Sequence, residues 1–283
     1  MPTRRQTFQQ LCSAAQELYG VEEARQIAEM ILARYGVSRN ALLVEPNEEV
    51  QIPDLDTIIA DIRAWRPVQY IIGMAEFADI ELEVATGVLI PRPETEELVG
   101  WVASEMPCRA NILDVGTGSG CIAIALKRAV EQSRVWAMDI SRDALAIARR
   151  NGAKYAPEVE FVEGDALADF SLLFTEKFDA VVSNPPYIPS ADSALMRPNV
   201  TDYEPSTALF VPDDDPLIFY RSIARTARTM LREGGKLYFE IYESLATEME
   251  AMLREEGYTE ITLREDFRAK PRMICARVSS IAR

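Results

Sequence analysis

Ile112-Leu113-Asp114-Val115-Gly116-Thr117-Gly118-Ser119-Gly120 is the stretch on which the fold turns. Residues 112–115 form a short apolar run of the kind that becomes a buried strand. Alternating glycines follow, and a helical pattern opens at about residue 119. The alternation continues downstream. Strands are expected at 135–138, 159–162, 180–182 and 236–241, and helices at about 94–105, 142–151, 216–232 and 244–257. The last two strands, 258–265 and 272–278, have little between them and should pair antiparallel. This pattern predicts an α/β domain with a mostly parallel sheet covered by helices on both faces.

Upstream, residues 1–66 read as a helical bundle. Phe8, Leu11, Ala15 and Leu18 recur at helical spacing before Gly20, and Ala24, Ile27, Ile31 and Tyr35 do so before Gly36. A short helix near residues 39–45 and another through Leu55, Ile58, Ile62 and Trp65 complete it, with Asp54 as the expected N-cap. Residues 67–90 alternate, beginning with Val68-Gln69-Tyr70-Ile71-Ile72-Gly73, and are expected to form a linking β-hairpin. The resulting division is 1–66 as a helical domain, 67–90 as the hairpin linker and 91–283 as the α/β domain. Residues 188–216 show no clear period and read as a long loop facing the substrate.

Composition narrows the chemistry. The 283 residues contain no histidine, which excludes Ser-His-Asp, Cys-His and every histidine-based acid–base mechanism. The four cysteines lack C-x-x-C spacing, so no metal site is expected. A net charge of −15 argues against a nucleic-acid substrate, which calls for a basic surface. No stretch approaches the roughly 20 apolar residues of a membrane helix, and the start lacks a secretory signal. A soluble, cytoplasmic protein, monomeric by default, is expected.

The turn Gly116-Thr117-Gly118-Ser119-Gly120 lets backbone approach a ligand closely, and the helix start behind it offers N–H groups to an anion. NAD, FAD and S-adenosylmethionine all use such turns. The spacing here is G-x-G-x-G, not the G-x-G-x-x-G typical of dinucleotides. A ligand presenting a carboxylate and an ammonium fits it without a pyrophosphate. Asp139 ends the next strand, where a carboxylate can accept ribose hydroxyls. Asp165, followed by Ala166, ends the one after, where a carboxylate can accept from an adenine amine.

Asn184-Pro185-Pro186-Tyr187 follows another buried strand, at the carboxyl edge of the sheet. The prolines stiffen the backbone and remove two N–H donors, leaving the Pro185 carbonyl unopposed. With the Asn184 side chain it offers two acceptors to a planar –NH₂ group, and Tyr187 offers a flat face for stacking. Accepting both N–H bonds would bias an amide nitrogen towards sp³ and free its lone pair. No histidine base is then required.

These residues resemble the N5-glutamine methyltransferases of peptide chain release factors, the HemK/PrmC family, within the class I S-adenosylmethionine-dependent methyltransferases. That class has a Rossmann-like, mostly parallel seven-stranded sheet ending in a reversed hairpin. The likeness covers nearly the whole chain. It includes Arg66-Pro67-Val68-Gln69-Tyr70-Ile71-Ile72-Gly73, Ile90-Pro91-Arg92-Pro93-Glu94-Thr95-Glu96 and Tyr203-Glu204-Pro205, besides the glycine turn and N-P-P-Y. The resemblance implies methyl transfer from S-adenosylmethionine to the glutamine of the Gly-Gly-Gln loop of class I release factors. It implies cofactor contacts from residues 116–120, Asp139, Asp165, Ala166 and Asn184, with Asn184, Pro185, Pro186 and Tyr187 holding the glutamine amide. Two places depart from the family. Glu240-Ile241-Tyr242 stands where E-I-G is common, and Ala269 stands where a glycine commonly precedes the lysine.

A nucleic-acid methyltransferase acting on adenine N6 or guanine N2 is the alternative, since N-P-P-Y suits a base amine equally well. The acidic charge and the R-P-x-Q-Y-I-x-G and I-P-R-P-E-T-E strings weigh against it. A catalytically silent module would have lost the glycines or Asn184, and both are intact.

Overall fold

The computed structural model describes residues 1–278. They form two compact units. One comprises Met1–Met74 with Arg197–Tyr203, and the other Ala75–Met196 with Glu204–Arg283, described as far as Val278.

The first unit is helical. Helix Arg4–Tyr19 starts in a capping box in which Thr3 and Gln6 satisfy each other's backbone N–H groups. Gly20, at φ 78°, separates it from helix Val21–Arg34. Leu11, Ile31, Leu32 and Ile62 are almost fully buried at the centre. Asp54 does precede helix Leu55–Arg63, but in the left-handed region (φ 56°), so its side chain makes no capping bond. Two further expectations need correction. Residues 68–72 are a helix, not a strand, because Pro67 precedes the first turn and Gly73 (φ 73°) stops it after five residues. The hairpin is confined to Met74–Phe77 and Ile80–Glu83, joined by Ala78 and Asp79, both at positive φ as a tight two-residue turn requires.

The second unit holds a seven-stranded sheet. In chain order its strands are β1 (Asn111–Val115), β2 (Arg134–Asp139), β3 (Glu160–Glu163), β4 (Phe178–Ser183), β5 (Leu231–Glu240), β6 (Tyr258–Glu265) and β7 (Pro271–Val278). Their spatial order is β6-β7-β5-β4-β1-β2-β3. β1 to β5 pair in parallel, and β7 runs antiparallel to both β5 and β6. Every residue of β1 is buried. Ile112 packs into the layer with Leu98 and Ile124, and Leu113 into the layer with Trp136 and Phe178. Both faces are therefore covered, and Asn111 and Asp114 are buried along with the apolar residues of the strand. Chain order reverses beside β1, which has β2 on one side and β4 on the other. Such a switch point opens a crevice at the carboxyl ends of the strands.

Residues 188–216 are not the featureless loop expected from the sequence. Ile188–Pro189 pairs in parallel with Phe210–Val211, and short helices span Pro198–Thr201 and Ser206–Leu209. Elements this short display no period. Arg197–Tyr203 belongs to the helical unit, where Arg197 pairs with Glu23 at 3.0 Å and the Tyr203 hydroxyl donates to the Ala64 carbonyl at 2.6 Å.

Candidate active site

A cavity of about 400 Å³ opens at the switch point. Gly116 and Gly118 line it from the turn after β1, Asp139 from the end of β2, Asp165 and Ala166 from beyond β3, and Asn184, Pro185 and Pro186 from beyond β4. Eight of the residues singled out from sequence thus meet on one wall system.

The glycine turn is held from below. Gly116, Gly118 and Gly120 all adopt positive φ, and a Cβ on Gly118 would meet no protein atom within 4 Å. The Gly118 N–H donates to Asp139 Oδ2 at 2.8 Å, and the Ser141 N–H donates to Oδ1 at 2.9 Å. Burial pushes the Asp139 carboxyl up, against the pull of those two N–H groups. Across the cavity Asp165 Oδ1 accepts from the Leu167 N–H at 2.8 Å, and the Ala166 carbonyl accepts from the Ser222 hydroxyl at 2.7 Å.

Thr117, Ser119, Gly120 and Tyr187 are not on the cavity lining. Thr117 is buried and donates to Asp114 Oδ2 at 2.6 Å. Gly120 precedes helix Cys121–Ala129 and has Ile124 and Ala148 against the place a Cβ would take. Tyr187 is half-buried, its hydroxyl donating to Glu240 Oε1 at 3.2 Å. Its ring stacks on Tyr242 with centroids 5.9 Å apart and planes 17° apart, and the Tyr242 hydroxyl donates to Asp192 Oδ2. The residue that departs from the E-I-G pattern thus backs the aromatic of N-P-P-Y. At the other departure, Ala269 adopts φ 57°, a conformation that favours glycine.

Sequence reasoning assigned no role to Asp114, Thr95, Glu204 or Glu240. Glu204, nearly fully buried, accepts from the Ile90 N–H at 3.0 Å and from Arg92 at 2.7 Å. This anchors the segment whose Pro205, Thr207 and Ala208 form another wall of the cavity. Thr95 and Glu240 lie behind Asn184. Their only sequence trace was membership of quoted strings, since the two are 145 residues apart.

Asp114 carries a pH prediction. Burial pushes its carboxyl up to about 7 from 3.8, with Asp139 adding to the rise and the Thr117 hydroxyl and Ala123 N–H opposing it. The native state therefore holds this proton more tightly than the unfolded chain does. The stability due to the protonated form is complete below about pH 4 and lost as pH rises through about 7. Asp114→Asn should flatten the fall in unfolding free energy over that window, measured by urea titration at several pH values. Equal slopes for variant and parent would contradict the assignment.

Sheet order, switch-point cavity and glycine turn define a class I methyltransferase. Residues 79–197 match the methyltransferase small domain. A methyltransferase from Pyrococcus furiosus shares the fold (TM-score 0.51, 17% identity, covering 70% of this chain and 89% of that one). So does the T. thermophilus 16S rRNA N2 methyltransferase solved with AdoMet and guanosine (TM-score 0.55, 17% identity, covering 73% and 50%). Sequence relatives are more specific. The release factor glutamine methyltransferase of Bacteroides thetaiotaomicron is 41% identical over 92% of this chain and 95% of its own length. That of Flavobacterium psychrophilum is 36% identical over 94% and 95%, and that of Streptomyces coelicolor 37% over 91% and 92%. The chain belongs to the release factor glutamine methyltransferase family. Among the described residues no helix is long and apolar enough to cross a membrane, and no acidic or cysteine cluster could hold a metal ion.

Proposed function

We propose that this chain moves the methyl group of S-adenosylmethionine to the side-chain amide nitrogen of a glutamine in a class I peptide chain release factor, the glutamine of its Gly-Gly-Gln loop. One observation carries the reading. Asn184 and Pro185, which carry the two acceptors, line the same cavity as Asp139 and the positive-φ Gly116 and Gly118. A cavity of about 400 Å³ is of a size that takes a ligand of this class. Gly116 and Gly118 would face the amino-acid end, Asp139 the ribose and Asp165 with Ala166 the adenine.

When bound, S-adenosylmethionine supplies a methyl group already activated on a sulfonium. The protein's part is to hold a poor nucleophile at the correct angle. Asn184 Oδ1 and the Pro185 carbonyl would accept both amide hydrogens, placing the nitrogen lone pair towards the methyl. The nitrogen would form its bond to the methyl as the methyl–sulfur bond breaks, the sulfonium leaving as the neutral thioether S-adenosylhomocysteine, and the surplus N–H proton would pass to solvent water, since the chain has no histidine to take it. We assign the helical unit to docking the release factor, a role supported by matches over more than nine-tenths of the chain to release factor glutamine methyltransferases.

Incubation with methyl-labelled S-adenosylmethionine and either purified unmethylated release factor, DNA or ribosomal RNA tests the substrate class. Label is expected in the release factor alone. Label confined to nucleic acid would promote the base-amine reading instead.

A further inference from the structure

An asparagine side chain has an acceptor edge and a donor edge of nearly the same size. For Asn184 to receive an –NH₂ group, its Oδ1 edge must face the cavity, and something behind it must fix that choice. Asn184 Nδ2 donates to Thr95 Oγ1 at 3.3 Å. The Thr95 hydroxyl donates to Glu240 Oε2 at 2.6 Å. The other carboxylate oxygen, Oε1, accepts from Tyr187. Glu240 and Thr95 are each 2% exposed. The arrangement follows from the sheet. Ser183 of β4 pairs with Phe239 of β5, so Asn184 and Glu240 leave neighbouring strand ends side by side.

Hydrogen-bond polarity does the rest. An ionised carboxylate only accepts. The Thr95 hydrogen is therefore committed to Glu240, and Thr95 presents a lone pair to Asn184. Only the –NH₂ edge of Asn184 can meet a lone pair, which leaves Oδ1 for the cavity. We propose that Glu240, acting through Thr95, sets the donor–acceptor direction of the Asn184 amide and so selects a substrate nitrogen that carries hydrogens. Glu240 and Thr95 are positioning residues. The inference rests on the reading that Asn184 accepts from the substrate amide.

Protonation of Glu240 reverses the relay. A carboxylic O–H would donate to Thr95, whose hydrogen would then point at Asn184. Asn184 would turn its oxygen back and offer –NH₂ to –NH₂. Facing Glu240 are Thr95 and Glu94 from helix Pro93–Glu105, Tyr187 from N-P-P-Y, Arg272 from β7 and Cys121 from helix Cys121–Ala129. The Tyr220 hydroxyl donates to the Glu240 main-chain carbonyl. Burial raises the Glu240 carboxyl, while Thr95, Arg272 and Tyr187 favour its ionised form and Glu94 opposes it. Activity needs the ionised form, so kcat should fall as pH is lowered, with the fall beginning above the ordinary glutamate range.

The test compares Thr95→Val, Thr95→Ser and Glu240→Gln with the parent on purified release factor. It measures kcat, KM, the Kd of S-adenosylmethionine and the pH profile of kcat. Thr95→Val and Glu240→Gln should lower kcat by about 50-fold or more, the scale of a misplaced preorganised dipole, and leave the cofactor Kd within about threefold. Thr95→Ser should recover most of the rate, and Glu240→Gln should lose the acid limb. Full activity of Thr95→Val, or Thr95→Ser as impaired as Thr95→Val with cofactor affinity intact, would overturn the proposal. If the parent transfers methyl and Asn184→Ala does not, such a result removes only the relay. If the parent methylates no release factor, the substrate reading falls first and the relay falls with it.

Discussion

Asn184→Ala should lower kcat for release-factor methylation by about a thousandfold and leave the Kd of S-adenosylmethionine within about threefold. The size follows from what is removed. The substrate amide loses one of its two acceptors and becomes free to rotate, and loss of a single preorganised dipole costs about 10²–10³ in rate. Cofactor affinity should largely survive even though Asn184 is also an expected cofactor contact, because the glycine turn, Asp139 and Asp165 come from other strand ends and do not bond to Asn184. A matching fall in kcat and in cofactor affinity would mean instead that Asn184 chiefly supports the cofactor. Single-turnover rates with calorimetric binding separate the two outcomes.

Gly118→Val should have the opposite signature: cofactor affinity falls by about a hundredfold or more. Two effects act together. Gly118 adopts φ 55°, which a β-branched residue tolerates poorly. Its Cβ would meet no protein atom within 4 Å, and Gly118 lines the cavity, so the side chain would take up ligand space. Any shift of the turn also disturbs the Gly118 N–H bond to Asp139, the carboxylate assigned to the ribose. Calorimetry with S-adenosylmethionine measures the loss, and a thermal melt without ligand records the strain by itself. Unchanged affinity would place the cofactor away from this turn.

The strands of the sheet were legible because burial on both faces writes itself as runs of mainly apolar residues, as in residues 112–115, broken only by Asp114, and 180–182. The glycine turn and N-P-P-Y were legible because each combines rare residue types at a strand end. Boundaries set by competing local signals were not. Val68–Ile72 contains an alternation that suggests a strand, yet Pro67 and Gly73 bracket a single helical turn. Asp54 has the composition of an N-cap but not its backbone conformation. Elements of two to six residues between 188 and 216 leave no periodic trace. The support behind the site was also hidden. Nothing in the order of residues says that Thr95 meets Glu240, or that Arg92 meets Glu204, until the sheet folds. The surroundings of Tyr187 were hidden too: its ring stacks on Tyr242 and its hydroxyl reaches Glu240, partners far away in the chain.

The most direct test of the central claim is the position of the transferred methyl group. Purified release factor, treated with the protein and S-adenosylmethionine, is digested and its peptides are fragmented in the mass spectrometer. The account expects one added methyl on the side-chain nitrogen of the Gly-Gly-Gln glutamine, absent with Asn184→Ala. A methyl group on any other residue, or one still transferred by Asn184→Ala at the parent rate, would contradict it.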